Sequence, residues 1–302
     1  MKIKDKVTQH VIDGVEAGSP PWIRGWSDDG TKSTLCLAPR NGLTQRPYSG
    51  INWLILGMFN PYKSNEWFTA NNAVRMFACG KCNACRRRSF SFCPTGNPKP
   101  IPYEEFKNST RIIFYKEISY EDKHGEEQWR PTMRTYSVWN REQIPDLPKV
   151  ERTSQFDPKS TIDEMLVNLK LKGGVHVGGD RACYVPSEDA VCIPNDDAFD
   201  TPADATSVKA HEGCHATGAE HRLNRGLNKA GPANAGAYAY EELIAELGSA
   251  MVCASLGIPL DKLRHTDYIG VWLKRLKDDR NYIFKAAADA NKAMQYLMKE
   301  AA

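Results

Sequence analysis

The spacing of apolar positions predicts short helices and a β-hairpin in the first half of the chain. Apolar residues at helical spacing predict an amphipathic helix over residues 6–17, and an apolar run predicts a second over 53–59. A further helix is predicted to begin at Trp67. The stretches 110–120 and 130–139 are rich in β-branched and aromatic residues and flank a charged segment, which predicts a hairpin with a solvated loop.

The second half of the chain is predicted to be mainly helical. A proline-containing, polar stretch over residues 144–160 is the best candidate linker, so we predict two domains, 1–148 and 149–302. Two short strands joined by a polar turn, 181–186 and 189–194, are predicted to line a substrate cleft. The remaining predicted elements are helices over residues 162–172, 243–256, 268–276 and 282–298. The chain is therefore predicted to have an α+β fold.

The segment from Ala210 to Gly218 contains an HExxH motif and has the signals of a helix. Thr201 supplies a capping hydroxyl, and Pro202 occupies the first helical position. Gly218 is a natural helix terminator. The motif is therefore predicted to lie near the carboxyl end of a helix.

On that helix, the four-residue spacing places His211 and His215 on one face. Two imidazoles at this spacing can bind a single Zn²⁺, and Glu212 beside them can act as the general base that deprotonates an attacking water. Two surface histidines that fall at this spacing by chance would give the same pattern, so the prediction depends on a third ligand.

Two candidates for the third ligand follow the motif. Glu242 and Glu246 share a face of the next helical segment, so that one could bind zinc while the other accepts a hydrogen bond from a ligand imidazole. His221 completes the three-histidine spacing HExxHxxGxxH, which also expects a methionine-containing turn. Met251, the nearest downstream methionine, lies within a predicted helix. We therefore favour Glu242 as ligand with Glu246 in support, and keep His221 as the alternative.

Charge and aromatic content separate the two halves. Residues 1–150 hold 22 Lys and Arg against 15 Asp and Glu, whereas residues 151–302 hold 18 against 22. Six of the seven tryptophans lie in the basic half. Cations that meet phosphates, together with aromatic rings that stack on bases, are typical of a nucleic-acid surface, but a basic, aromatic-rich core without that role would have the same composition.

The cysteines at positions 79, 82, 85 and 93 form the second candidate metal site. CxxCxxC spacing with a fourth cysteine eight residues on favours a Cys₄ zinc knuckle, and an iron–sulfur cluster is the less favoured alternative because its usual spacing differs. Arg86, Arg87 and Arg88 lie between the last two cysteines and could present charge to phosphate. No signal-peptide pattern and no apolar run long enough for a membrane span is found, so a cytoplasmic location without membrane association is expected.

The order of these segments resembles the ArdC-type antirestriction proteins of conjugative plasmids and related mobile elements. The resemblance is carried by stretches along nearly the whole chain, namely Trp22, Asn41, residues 46–52, 67–69, Tyr184, Pro186, Asp189, 193–194, 211–218, 222–225, 241–248, 268–269 and Trp272.

This resemblance implies an N-terminal mixed α/β domain that binds single-stranded DNA and a C-terminal zincin-like metallopeptidase domain, with Glu242 as third ligand. It also implies protection of incoming DNA from host restriction, with a restriction-system protein as a possible peptide substrate. Within the matching stretches we take Arg46, Tyr48, Asn52 and Trp67 as DNA contacts. The cysteine cluster departs from the family pattern, so DNA contacts there rest on its arginine run alone.

Overall fold

Apolar residues at helical spacing form helices at both ends of the chain, as predicted. The computed structural model describes residues 3–18, 22, 38–58, 61–148, 158–227, 234–258 and 268–299. Its helices are α1 (Ile3–Glu16), α2 (Ile51–Met58), α3 (Ala70–Phe77), α4 (Asn83–Arg86), α5 (Tyr103–Phe106), α6 (Pro158–Asn168), α7 (Pro202–Ala216), α8 (Ala235–Leu256), α9 (Ile269–Asp278) and α10 (Tyr282–Lys299). Its strands are β1 (Arg40–Asn41), β2 (Glu66–Phe68), β3 (Thr110–Glu121), β4 (Glu127–Asn140), β5 (Gly174–Val177), β6 (Cys183–Val185) and β7 (Ala190–Ile193).

Packing divides the chain into two units that do not follow a single cut at residue 148. The hairpin unit comprises residues 39–48 and 60–152, and the helical unit comprises residues 1–38, 49–59 and 153–302. The first residues of the chain join the helical unit because the apolar face of α1 packs against α9 and the apolar helix α2 packs against α10. Part of the predicted linker, residues 149–157, lies outside the described residues.

The hairpin unit is organised by a four-stranded sheet of order β1-β2-β4-β3. The predicted hairpin is confirmed as the long antiparallel pair of β3 and β4. The helix predicted to begin at Trp67 is wrong at its start, because β2 there pairs with both β1 and β4. The helix α3 begins only after Thr69, whose side chain caps it by accepting a hydrogen bond from the Asn72 amide at 3.2 Å.

The helical unit places its longest buried helices around the HExxH segment. Helices α7, α8 and α10 pack on one another, and Leu243, Leu247 and Met251 of α8 are fully buried. A three-stranded sheet of order β5-β7-β6 lies against α7 and leaves β6 as an edge strand. The two strands predicted at residues 181–186 and 189–194 are thereby confirmed, and β5 is an addition. No helix among the described residues is long and apolar enough to span a bilayer.

Candidate metal centre

Helix α7 has the start and the end that its sequence predicts. The Thr201 hydroxyl accepts a hydrogen bond from the Asp204 amide at 3.1 Å, and Pro202 occupies the first helical position. The helix ends at Ala216 with Thr217 as its C-cap, and the predicted terminator Gly218 follows directly after the cap. Nearly every residue between these ends is buried, so the helix is a rigid part of the unit rather than a surface element.

The two motif histidines converge with a carboxylate from the next helix. The Nε2 atoms of His211 and His215 are 3.1 Å apart, and the Glu242 carboxylate lies 3.4 Å from the first and 3.6 Å from the second. One ligand atom from each of the three lies within 4.8 Å of the others, a spacing that could hold one metal ion. We call this group the helical metal site. Its donor set of two imidazoles and a carboxylate is the one found in zinc sites that keep a coordination position open.

His215 is held by a pair that sequence reasoning did not single out. Its Nδ1 atom lies 3.2 Å from Oε1 of Glu241, and the guanidinium of Arg225 donates two hydrogen bonds to the same carboxylate at 2.9 and 2.6 Å. A carboxylate at this ring nitrogen fixes the tautomer that leaves Nε2 free to bind a metal. Glu246 is buried one helical turn beyond Glu242, and its predicted supporting role stays a prediction.

Two glycines make this arrangement possible by leaving room for neighbouring atoms. A Cβ atom at Gly248 of α8 would lie 2.6 Å from Sγ of the buried Cys214, so glycine allows α7 and α8 to approach closely beside the ligands. A Cβ atom at Gly218 would lie 2.7 Å from Nη2 of Arg225. Gly218 therefore does more than end the helix, since it leaves the space in which the arginine reaches Glu241.

The carboxylates around the helical metal site favour a proton on His215 when no metal ion competes for it. Burial disfavours the imidazolium, but the carboxylates of Glu241 and Glu242 outweigh burial and raise the pKa of His215 to about 10. Burial alone would raise the pKa of Glu242, whereas its hydrogen bonds to the two histidines lower it. A metal ion would need the neutral imidazole of His215 as ligand, so its binding at this site would release a proton.

A cavity of about 200 Å³ opens at the helical metal site. Glu212, which is 6% exposed, lines it together with the three candidate ligands. The edge strand β6 contributes Cys183 and Tyr184, and α8 contributes Tyr238, whose pKa is raised by burial and by the charge of Glu242. The cavity thus places Glu212 and the three candidate ligands beside the edge strand β6.

His221 does not join the helical metal site in this structure. Its Nε2 atom lies 3.2 Å from Oδ2 of Asp189, and its side chain is 44% exposed. Asp189 is also held by Arg222 at 2.7 and 3.1 Å and by the Tyr184 hydroxyl at 2.8 Å. After Gly218 the side chains of Arg222 and Arg225 are buried in ion pairs with Asp189 and Glu241. His221 lies at the exposed edge of the Asp189 ion pair. In this structure Glu242, and not His221, lies beside the two motif histidines.

The four cysteines of the second candidate site lie together in the hairpin unit. All four Sγ atoms fall within 4.8 Å of one another, with Cys79 to Cys85 at 3.9 Å and Cys82 to Cys93 at 3.8 Å. Sulfurs placed tetrahedrally at the usual zinc distance are about 3.8 Å apart. We call this group the cysteine cluster. Its spacing fits one ion and leaves no room for a multi-iron core.

Backbone amides support the negative charge that thiolate ligands would carry. The amides of Cys79, Cys82 and Cys85 each donate to a neighbouring cluster sulfur at 3.4 Å. The Cys79 amide and the Thr95 hydroxyl lower the pKa of Cys93 to about 6, whereas burial raises the pKa of Cys85 to about 12. The helix α4 begins with the Cys82 sulfur as its cap, so the cluster also organises the local backbone.

The residues predicted to contact DNA do not share one environment. Arg46 and the run Arg86–Arg88 are exposed, and Tyr48 and Asn52 are half-buried. Trp67 is 1% exposed and packs with Tyr62 at a centroid distance of 5.7 Å. It cannot offer a ring face to a base in this conformation, because strand pairing of β2 turns it into the core. The exposed arginines remain available for phosphate.

Family comparisons divide the chain in two. Residues 1–139 match the N-terminal domain of anti-restriction factor ArdC, and residues 161–289 match a zincin-like metallopeptidase domain. The chain is similar over 100% of its length to the crystal structure of the antirestriction ArdC protein from plasmid R388, with a TM-score of 0.73, 28% identity and 98% of that chain covered. The Mn(II)-bound structure of the same protein matches with a TM-score of 0.71, 28% identity, and coverage of 100% of this chain and 99% of that one.

Relatives of different length carry the same region. A DNA primase TraC of Escherichia coli is 31% identical over 97% of this chain, but the chain spans only 27% of that protein. A second TraC of the same species is 30% identical, with 19% of its length spanned. The uncharacterized protein y4eC of Sinorhizobium fredii is 29% identical, over 98% of this chain and 91% of its own length.

Proposed function

We propose, because the chain belongs through both of its matched domains to the ArdC-type antirestriction proteins, that it protects incoming plasmid DNA from host restriction. It would do so by binding single-stranded DNA. We further propose that it carries a zinc-dependent peptidase site. A cytoplasmic location follows from this role, since host restriction acts on DNA there. The peptide substrate proposed is a protein of the restriction system.

The observation that carries the peptidase proposal is the convergence of His211, His215 and Glu242 beside Glu212 in one cavity. The three ligands would hold one divalent ion, and the Mn(II)-bound structure of the similar ArdC protein supports a divalent metal. When bound, the ion would polarise a peptide carbonyl and make a nearby water more acidic. We propose zinc because the donor set is the one that zinc hydrolases use.

The remaining chemistry belongs to side chains of this protein. Glu212 takes the proton from the attacking water and delivers it to the leaving amine. Glu241 and Arg225 keep the His215 ring in the orientation in which Nε2 faces the ion. The free edge of β6 offers backbone groups to which an extended peptide can add as a further strand. Binding and proton transfer are thus assigned to separate elements.

For the cysteine cluster we propose a second zinc ion with a structural role. Four thiolate ligands close the coordination sphere and leave no position for a substrate. The exposed run Arg86–Arg88 lies between the ligands Cys85 and Cys93, so that an ordered knuckle would present these cations to phosphate. Arg46, Tyr48 and Asn52 are further proposed DNA contacts.

The decisive experiment compares Glu212→Gln with Glu220→Gln, which removes a carboxylate from an exposed position. Glu212→Gln should keep its zinc and its affinity for a single-stranded oligonucleotide, yet lose about 100-fold or more in hydrolysis of a quenched-fluorescence peptide library. Glu220→Gln should match the wild type in all three. Transfer of an unmodified plasmid into a restricting host then measures protection.

Three results would change the proposal. If Glu212→Gln protects DNA as well as the wild type, protection comes from a coat on single-stranded DNA and does not use the peptidase. If the wild type also hydrolyses no peptide of the library, the peptidase role is withdrawn and the metal is structural. If the wild-type protein binds duplex and single strands equally at every salt concentration, the DNA-binding assignment is wrong, because stacking requires free base faces.

A further inference from the structure

The pairing register of β3 with β4 gives the long hairpin two chemically different faces. Thr110 pairs with Val138 and Glu121 with Glu127, so even-numbered residues of both strands project from one face and odd-numbered residues from the other. Beyond the buried base of the hairpin, both faces are largely exposed. The hairpin can therefore be read as two surfaces built on the same backbone.

The even face combines aromatic rings with cations and carries no carboxylate within the paired strands, while Asp122 and Glu126 continue it at the hairpin tip. It is formed by Ile112, Phe114, Lys116, Ile118, Tyr120, Gln128, Arg130, Thr132, Arg134 and Tyr136. Phe114, Tyr120 and Tyr136 are 51%, 44% and 46% exposed, which is unusual for rings of this size. The even face thus presents three cations and three accessible rings.

The odd face has comparable aromatic content and the opposite charge. Tyr115 and Trp129 are exposed there, but three carboxylates, those of Glu117, Glu121 and Glu127, accompany them. Arg111 is the single cation among the odd-numbered residues of the paired strands. Exposure alone would favour Trp129 as a stacking platform, whereas charge favours the even face for any anionic partner.

Contacts on the even face show how rings and cations alternate. The Arg130 guanidinium lies over the Tyr120 ring at 5.1 Å from its centroid, and Phe114 meets Tyr136 edge to face at 6.2 Å. Phe114 and Tyr120 are six residues apart, which is about 20 Å along an extended strand. That length is comparable with about six stacked bases of a single strand.

We propose that the even face of the hairpin is the surface on which single-stranded DNA lies, with bases stacked on Phe114, Tyr120 and Tyr136 and phosphates contacted by Lys116, Arg130 and Arg134. A nucleic-acid single strand is the partner that uses both features, because it offers free base faces and a regular row of negative charges. A second copy of the even face would bring like charges together. This inference rests on the proposed binding of single-stranded DNA and assigns its location.

The test uses the two faces as matched partners in the full-length protein. Phe114→Ala and Tyr136→Ala on the even face are compared with Tyr115→Ala and Trp129→Ala on the odd face, by titration with a fluorescent single-stranded oligonucleotide. Each even-face change should weaken binding about 5- to 100-fold, since stacking of a base on an aromatic ring is disrupted. The odd-face changes should stay within about twofold. Thermal unfolding checks that the variants remain folded.

A second variant tests the cations without removing any ring. Arg130→Gln with Arg134→Gln should lower the slope of log affinity against log salt by about 1.4, because each phosphate contact on a single strand contributes about 0.7. Photocrosslinking of an oligonucleotide containing 5-bromodeoxyuridine should label Phe114, Tyr120 or Tyr136. This readout uses the wild-type protein and so does not depend on the folding of any variant.

The outcomes distinguish this surface from the function on which it rests. If the wild type does not bind single-stranded DNA, the proposed function and the surface both fail. If it binds but odd-face and even-face variants lose affinity equally, or crosslinks fall on Trp129, the even-face assignment is overturned while DNA binding stands. An even face that binds a duplex or an acidic peptide as tightly as the single strand would likewise overturn it.

Discussion

The helical metal site and the cysteine cluster bring candidate metal ligands together in opposite ways. The first takes His211 and His215 from α7 and Glu242 from α8, so its ligands come from two long buried helices. The second takes all four ligands from residues 79–93, where the regular structure consists of single turns. One site is a product of tertiary packing, and the other is a product of local chain folding.

The two sites also differ in what holds their ligands in position. Helices α7 and α8 are buried against each other and against α10, so their ligands are positioned by packing whether or not an ion binds. Within residues 79–93 only Cys85 and Cys93 are buried, and Cys79 at the start of the segment is exposed. We therefore expect metal binding to complete a preformed site in the helices and to order the backbone around the cysteines.

The largest expected effect is the loss of one zinc ion per chain, and it tests the difference between the two sites directly. Cys85→Ser and His211→Ala should each lower zinc from two ions to one per chain, as measured by metal analysis of the purified proteins. Amide hydrogen exchange should then rise across residues 79–93 in the first variant, because metal-binding energy is folding energy there. Exchange in α7 and α8 should stay slow in the second variant. A brown protein, or one with its 79–93 segment equally protected without metal, would contradict the structural-zinc assignment.

A smaller effect sharpens the description of the helical metal site. Glu241→Gln should weaken zinc binding about 10- to 100-fold, because it removes the charged partner of His215 Nδ1 and leaves the three ligands in place. Glu246→Gln is the matched change one and a half helical turns away, and competition with a fluorescent chelator measures both. A greater loss in Glu246→Gln would show that the supporting carboxylate is the one predicted from the sequence.

The smallest effect concerns His221. Its imidazole faces Asp189 and not the ligand cluster, so His221→Ala should change zinc affinity by less than about threefold. Glu242→Ala, by comparison, removes one of three protein ligands and should cost far more than Glu241→Gln. Stoichiometric zinc in Glu242→Ala together with loss of zinc in His221→Ala would establish the three-histidine arrangement that this structure lacks.

The features predicted well from the sequence are those determined within a few residues. The start of α7 depends on Thr201 and Pro202, and the shared face of His211 and His215 depends on helical spacing, so both could be read from the chain. The cysteine cluster is equally local. In these regions the residues that determine the structure lie close together in the sequence.

The features missed depend on long-range packing. The contact of Glu241 with His215 was missed, because only the rotation of α8 against α7 places Glu241 at Nδ1 of His215 while Glu242 faces the two Nε2 atoms. Trp67 precedes a genuine helix cap at Thr69, but pairing of β2 with β4 makes it a strand residue. The residues on each face of the hairpin could not be predicted, because they depend on the pairing register of β3 with β4. The loop between the two strands determines that register.

Gly248 has a consequence for how mutational scans of this protein should be interpreted. A side chain at this position would press on Cys214 between the two ligand histidines and push α7 away from α8. Substitutions at Gly248 would then produce the phenotype of a lost ligand, although glycine offers no donor atom to a metal. A ranking of positions by loss of function would count one ligand too many. Only a measurement of metal affinity in a variant that also shortens Cys214 would separate the residue that binds from the residue that makes space.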